Sequence, residues 1–109
     1  MLTISSNHRF FLFQKPVSMR KSFEGLSHLV EEHFPGEIFS GAFFIFLNRR
    51  KDQMKVLYWD VDGLAIWSKR LEKGVFSGQE RKENSMTRKE FLMLLEGILP
   101  KRLQPRFSL

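Results

Sequence analysis

Residues 40–76, SGAFFIFLNRRKDQMKVLYWDVDGLAIWSKRLEKGVF, hold three apolar runs divided by one basic turn and one Asp-Gly turn. Short runs rich in Phe, Ile, Val, Tyr and Trp and bounded by turn residues are strand signatures, so the stretch predicts a three-stranded antiparallel meander. Its first strand covers about 42–47 and closes through Asn48-Arg49-Arg50-Lys51-Asp52-Gln53 into a second over about 54–60. Asp62-Gly63 suits a two-residue primed turn, because Gly accepts positive φ and Asp tolerates it, and a third strand over 64–70 follows. That turn implies a register in which Val61 faces Leu64, Trp59 faces Ile66, Leu57 faces Ser68 and Lys55 faces Arg70, with Tyr58 opposite Trp67 and Val56 opposite Lys69. Both faces then carry aromatics. Helices cover one face, and the second calls for cover by the terminal segments, a partner or ligand bases, which is a reason to expect binding.

Upstream of the meander, Arg9–Phe13 has the character of a short strand that Pro16 ends. Ser18 is placed to cap a helix running to about Phe34, in which Phe23, Leu26, Leu29, Val30 and Phe34 recur at helical spacing before Pro35-Gly36 stops the pattern. Gly25 inside that helix costs about 1 kcal/mol relative to Ala, which points to close packing against the sheet. Downstream, residues 77–84 (SGQERKEN) read as a surface loop, and Ser85 or Thr87 caps a second helix ending near Gly97 with Phe91, Leu92, Leu94, Leu95 and Ile98 on its apolar face. Pro100 and Pro105 break the tail KRLQPRFSL. The expectation is an α+β fold in one domain over 9–99, with element order β-α-β-β-β-α, a mainly antiparallel sheet and two flanking helices. Residues 1–8 are read as a flexible N-terminus and 100–109 as a basic extended tail.

A chain of 109 residues is large enough to bury roughly two thirds of its unfolded surface and to fold without staples. It has no cysteine, which excludes disulfides, thiolate metal sites and a thiol nucleophile, and suits a reducing cytosol. A net charge of +6, with Lys and Arg in short clusters among aromatics, suits a polyanionic partner, the plain alternative being solubility. The N-terminal stretch lacks the early positive charge and long apolar core of a secretory leader. No apolar run approaches the roughly 20 residues of a membrane span, and no segment makes a basic amphipathic helix, so a cytoplasmic protein without a membrane partner is expected.

Catalytic and metal chemistry find little support. Counted from Asp60 as an EF-hand loop, Gly63 falls at the fourth position and Glu72 at the thirteenth, where calcium ligation needs Gly at the sixth and Glu at the twelfth, so Asp60 and Asp62 read as turn residues. His28 and His33 are five apart, beyond the four-residue spacing that aims two helical imidazoles at one ion. There is no nucleophile elbow and no phosphate-binding glycine loop. The aromatic strand 41–47 departs from the base-stacking motif of RNA-recognition modules, and the element order differs, so Phe43, Phe44 and Phe46 read as core. The expectation is a non-enzyme with no cofactor.

The candidate functional residues are cations. Arg49, Arg50 and Lys51 sit at a hairpin tip, with Lys55, Lys69, Arg70 and Lys73 near strand ends, and charges on a rigid turn reach phosphates without disturbing the core. The alternative is a solvated turn that guards the sheet against edge pairing.

Seven phrases carry a family resemblance: Met19-Arg20-Lys21 followed by Phe23-Glu24-Gly25-Leu26, Phe39-Ser40-Gly41, Phe46-Leu47-Asn48-Arg49-Arg50-Lys51-Asp52, Leu57-Tyr58-Trp59-Asp60, Asp62-Gly63, Trp67-Ser68-Lys69-Arg70-Leu71-Glu72-Lys73-Gly74 and Leu94-Leu95-Glu96-Gly97-Ile98. In these the chain resembles the TnpB accessory protein family of insertion sequence 66 type transposable elements, from about Arg9 to Leu99. Ser22, Glu24, Ser68 and Ser77-Gly78 depart from the family's usual residues, while the Asn-Arg-Arg turn keeps its pattern. The resemblance implies a protein encoded beside a separate acidic-triad transposase and required with it for transposition, without catalytic residues of its own. Element DNA, the transposase and other element-encoded proteins are the partners it implies, with no small-molecule substrate; a protein-binding adaptor without nucleic-acid contact is the alternative.

Overall fold

The computed structural model describes residue 4, residues 8–76 and residues 83–96. The expected 77–84 loop, the end of the second helix and the 100–109 tail therefore lie wholly or largely outside the described residues. Of the first eight residues, Ile4 packs against the core and the His8 ring stacks on Phe43 at 4.5 Å.

The elements are β1 (Phe10–Leu12), α1 (Phe23–His33), β2 (Phe43–Leu47), β3 (Gln53–Asp60), β4 (Gly63–Arg70), β5 (Ser85–Met86) and α2 (Arg88–Glu96). They form a five-stranded sheet in the order β4-β3-β2-β1-β5, an α+β arrangement. Consecutive β2, β3 and β4 make the antiparallel meander. Because a helix joins β1 to β2, those two strands lie parallel, and the two-residue β5 then pairs antiparallel with β1. This short strand is an element absent from the expected order.

β2 lies in the middle of the sheet and every one of its five residues is buried, as a continuous apolar run requires of a strand covered on both faces. Phe44 and Phe46 meet Leu26 and Val30 of α1, together with Phe13, Val17, Ile38 and Leu57. Phe43, Ile45 and Leu47 turn the other way, toward Phe91 and Leu94 of α2, Phe10, Met54, Val56 and Phe76. The helices thus cover opposite faces. Of the covers expected for the second apolar face, the chain's own C-terminal helix and Phe76 supply it, so that face by itself is no longer a reason to expect binding.

Helix ends differ from expectation for local reasons. α1 begins four residues later than a Ser18 cap implies, because Ser18 closes a turn of its own, accepting from Lys21 N at its carbonyl and from Arg20 N at its hydroxyl. Gly25 is crowded by the Lys21 side chain, 3.1 Å from where a Cβ would sit, rather than by the sheet. α2 has the reciprocal cap that Thr87 suggests: Glu90 N donates to Thr87 Oγ1 at 3.0 Å and Thr87 N to Glu90 Oε1 at 2.8 Å.

The β3–β4 register corrects the expected one by two residues. Asp60 pairs with Gly63, Leu57 with Ile66, Val56 with Trp67, Lys55 with Ser68 and Gln53 with Arg70, so the turn residues are Val61 and Asp62. A slip of two keeps every side chain on its face, so alternation cannot choose between the registers. Cross-strand packing can. The observed pairing sets Leu57 and Val56 against Ile66 and Trp67, where the Asp-Gly turn sets them against Ser68 and Lys69. The cost falls on Val61, a β-branched residue at φ +57 and 88 % exposed, while Gly63 is not left-handed and has open space for a Cβ. Val61→Gly is therefore expected to stabilise the fold by about 1 kcal/mol, seen as a higher denaturation midpoint at unchanged slope. Gly63→Val loses the backbone penalty that a positive-φ turn glycine imposes.

Candidate nucleic-acid interface

The loop from Asn48 to Asp52 is built around one side chain. Asn48 Oδ1 accepts from the backbone N of Asp52 and of Gln53, both at 3.0 Å, while its Nδ2 donates to Asp52 Oδ1 at 2.7 Å. Lys51 N closes the turn on Asn48 O, with Lys51 itself at φ +60. The Asp52 carboxylate is thereby engaged by an amide, and among the described residues no carboxylate pairs with Arg49, Arg50 or Lys51, all of which are exposed.

The chain after β4 folds back onto this loop. Leu71 N donates to Asp52 O at 2.8 Å and Phe76 N to Lys51 O at 2.7 Å, with the Phe76 ring anchored in the core. These bonds bring exposed Lys73 to the hairpin end, where the pairing of Met54 with Lys69 and Gln53 with Arg70 already places two more cations. Six of the seven expected residues therefore share one end of the sheet.

Lys55 does something else. It lies half-buried on the α1 face, and its ammonium donates to the carbonyls of Met19 at 2.9 Å and Lys21 at 2.8 Å, pinning the β1–α1 connection to β3. Val17 N, donating to Leu47 O at 2.9 Å, pins the same connection to the last residue of β2. Lys15, Arg20 and Lys21 are thus carried to the same end, all exposed. Sequence reading missed them as site residues, although Arg20-Lys21 lies within one of the phrases carrying the family resemblance.

The far end has a different character: Asp60 closes β3, Asp62 lies in the β3–β4 turn, and Glu37 is paired with Arg9. Burial first, and the neighbouring Asp60 charge second, hold the Tyr58 phenol above its ordinary pKa. β3 separates the two ends by its eight residues, roughly 25 Å at strand rise, so the cation cluster stands well apart from the Asp60–Asp62 turn.

The family described as IS66 Orf2 like protein matches residues 8–105. The chain belongs to this family. Its members are accessory proteins of transposable elements, so the IS66 Orf2-like assignment carries the chain to that class. The chain is also similar to the uncharacterized protein y4jC of Sinorhizobium fredii (strain NBRC 101917 / NGR234), at 30% identity over 100 residues, covering 90% of this chain and 86% of that one. No solved structure matches significantly. Among the described residues no helix is long and apolar enough to cross a membrane.

Proposed function

We propose that this IS66 Orf2-like protein is a non-catalytic accessory factor that holds element DNA for a separate transposase, gripping phosphates with the cationic end of its sheet. The observation that carries the reading is convergence: Arg49, Arg50, Lys51, Lys69, Arg70 and Lys73 come to one end from two chain segments, and Lys15, Arg20 and Lys21 join them from a third. Cations held by a rigid frame and, among the described residues, without a carboxylate partner release counterions on meeting a phosphate backbone, which gives affinity and position without reading sequence. Lys55 takes no part, since its ammonium serves the frame.

The test is a binding titration on unrelated duplexes at several salt concentrations. The expected result is similar affinity for each and a log–log slope of about −0.9 per phosphate contacted. Salt-independent binding, or none, turns the reading down.

A second reading, an adaptor that binds only protein, rests on a groove of about 390 Å³ between the β1–α1 connection and the C-terminal half of α1, lined by Phe13, Pro16, Val17, Leu29 and Phe34. Apolar docking there changes little with salt, so the same titration against purified transposase separates the two.

Catalysis belongs to the partner. Metal-assisted phosphoryl transfer needs acidic ligands gathered around one or two cations, and the carboxylates Asp52, Asp60, Asp62 and Glu72 are divided between the two ends of the sheet. Purified protein with element-end DNA and Mg²⁺ or Mn²⁺ is expected to cut and join nothing alone, and to change the yield or course of the reaction when the transposase is added. Cleavage by the chain alone, abolished by Asp60→Asn or Asp62→Asn, overturns the accessory role.

A further inference from the structure

Strand β4 is an eight-residue edge, paired with β3 on one side and, among the described residues, with no strand on the other. Such an edge offers a row of backbone donors and acceptors to a further strand, and proteins usually shorten, bend or charge it to prevent this. Here the opposite edge is the two-residue β5, whereas β4 keeps four consecutive partly exposed apolar residues, Leu64, Ala65, Ile66 and Trp67. Charge is confined to its ends: Asp60 and Asp62 before it, Lys69 and Arg70 closing it.

We propose that β4 is the interface of a homodimer, two copies pairing antiparallel about a two-fold axis normal to the sheet at Ile66. Only an even register keeps each face continuous across such an axis. Centred on Ile66, it places Ile66 beside the partner's Ile66, Ala65 beside the partner's Trp67, Leu64 beside the partner's Ser68, and Asp62 beside the partner's Arg70.

The charge pattern selects this occupant and direction. A parallel pair stacks Lys69 and Arg70 on the like charges of the second copy, which is destabilising, whereas the antiparallel pair sets each basic end against the other copy's acidic turn. A closed two-fold contact uses the same patch on both copies, and the result is one continuous sheet in which neither β4 remains an edge. The inference uses the strand edge rather than the hairpin tip; it shares Lys69 and Arg70 with the proposed DNA surface, and because association is measured without DNA its failure and the failure of the DNA reading are distinguishable.

The full chain is tested by sedimentation equilibrium over a wide concentration range, with circular dichroism as the check of folding. Wild type is expected to dimerise. Ile66→Lys sets two like charges at the axis and is expected to weaken the dimer about tenfold or more. Should that variant not fold, the exposed pair decides: Asp62→Arg and Arg70→Asp each weaken association, and the double swap restores it. A monomer throughout, or a dimer indifferent to the single swaps and not rescued by the double one, overturns the proposal.

Discussion

Changing Arg49→Ala, Arg50→Ala and Lys51→Asn together is expected to lower affinity for any duplex by about two orders of magnitude near 0.15 M salt. The slope of log affinity against log salt should flatten by about 2.7, being 0.9 for each of three lost phosphate contacts. Asn is chosen at position 51 because that residue stands at φ +60, which Asn adopts readily. The loop itself should survive. Its shape is set by the Asn48 amide, by Lys51 N on Asn48 O and by the returning segment at Leu71 and Phe76, none of which uses the three cationic side chains. Exposed substitutions of this kind ordinarily move stability by less than about 0.5 kcal/mol, so a folded variant with weakened, flatter binding isolates the charge effect. Fluorescence anisotropy on two unrelated duplexes measures both quantities. A folded variant with the affinity and slope of the wild type removes the turn from the interface.

That the tip was readable while much of the surrounding site was not has a physical reason. Turn chemistry and the continuous apolar run of β2 are local signals, and both survive into the fold: Phe43 to Leu47 are buried, and Asn48 to Asp52 make the predicted loop. The β3–β4 register is a competition between a local signal and a non-local one. Asp62-Gly63 favours one turn, but pairing Leu57 with Ile66 and Val56 with Trp67 outweighs it and leaves Val61 in the left-handed region. The face taken by α2 is likewise non-local, because Phe91 and Leu94 would read the same on either side of the sheet. Lys15, Arg20 and Lys21 join the basic end only through bonds that cross from the β1–α1 connection to β2 and β3, and no spacing in the sequence records such bonds.

Lys55→Met should expose this dependence. The substitution keeps an apolar stem on the α1 face but removes the ammonium that donates to the Met19 and Lys21 carbonyls. Hydrogen bonds from a charged donor contribute about 1.5–3 kcal/mol, and a loss of about that size is expected in chemical denaturation. Part of the effect is local, so amide exchange over the β1–α1 connection should accelerate more than exchange in β2, whose ladder is untouched. DNA affinity should also fall, although Lys55 makes no phosphate contact in this reading, because Arg20 and Lys21 lose their fixed position beside the hairpin. The alternative, Lys55 as a direct contact, makes a different prediction: unchanged stability and unchanged exchange, with the salt slope reduced by about 0.9. A variant as stable as the wild type and missing one phosphate contact would return Lys55 to the DNA and leave the β1–α1 connection without its proposed tether.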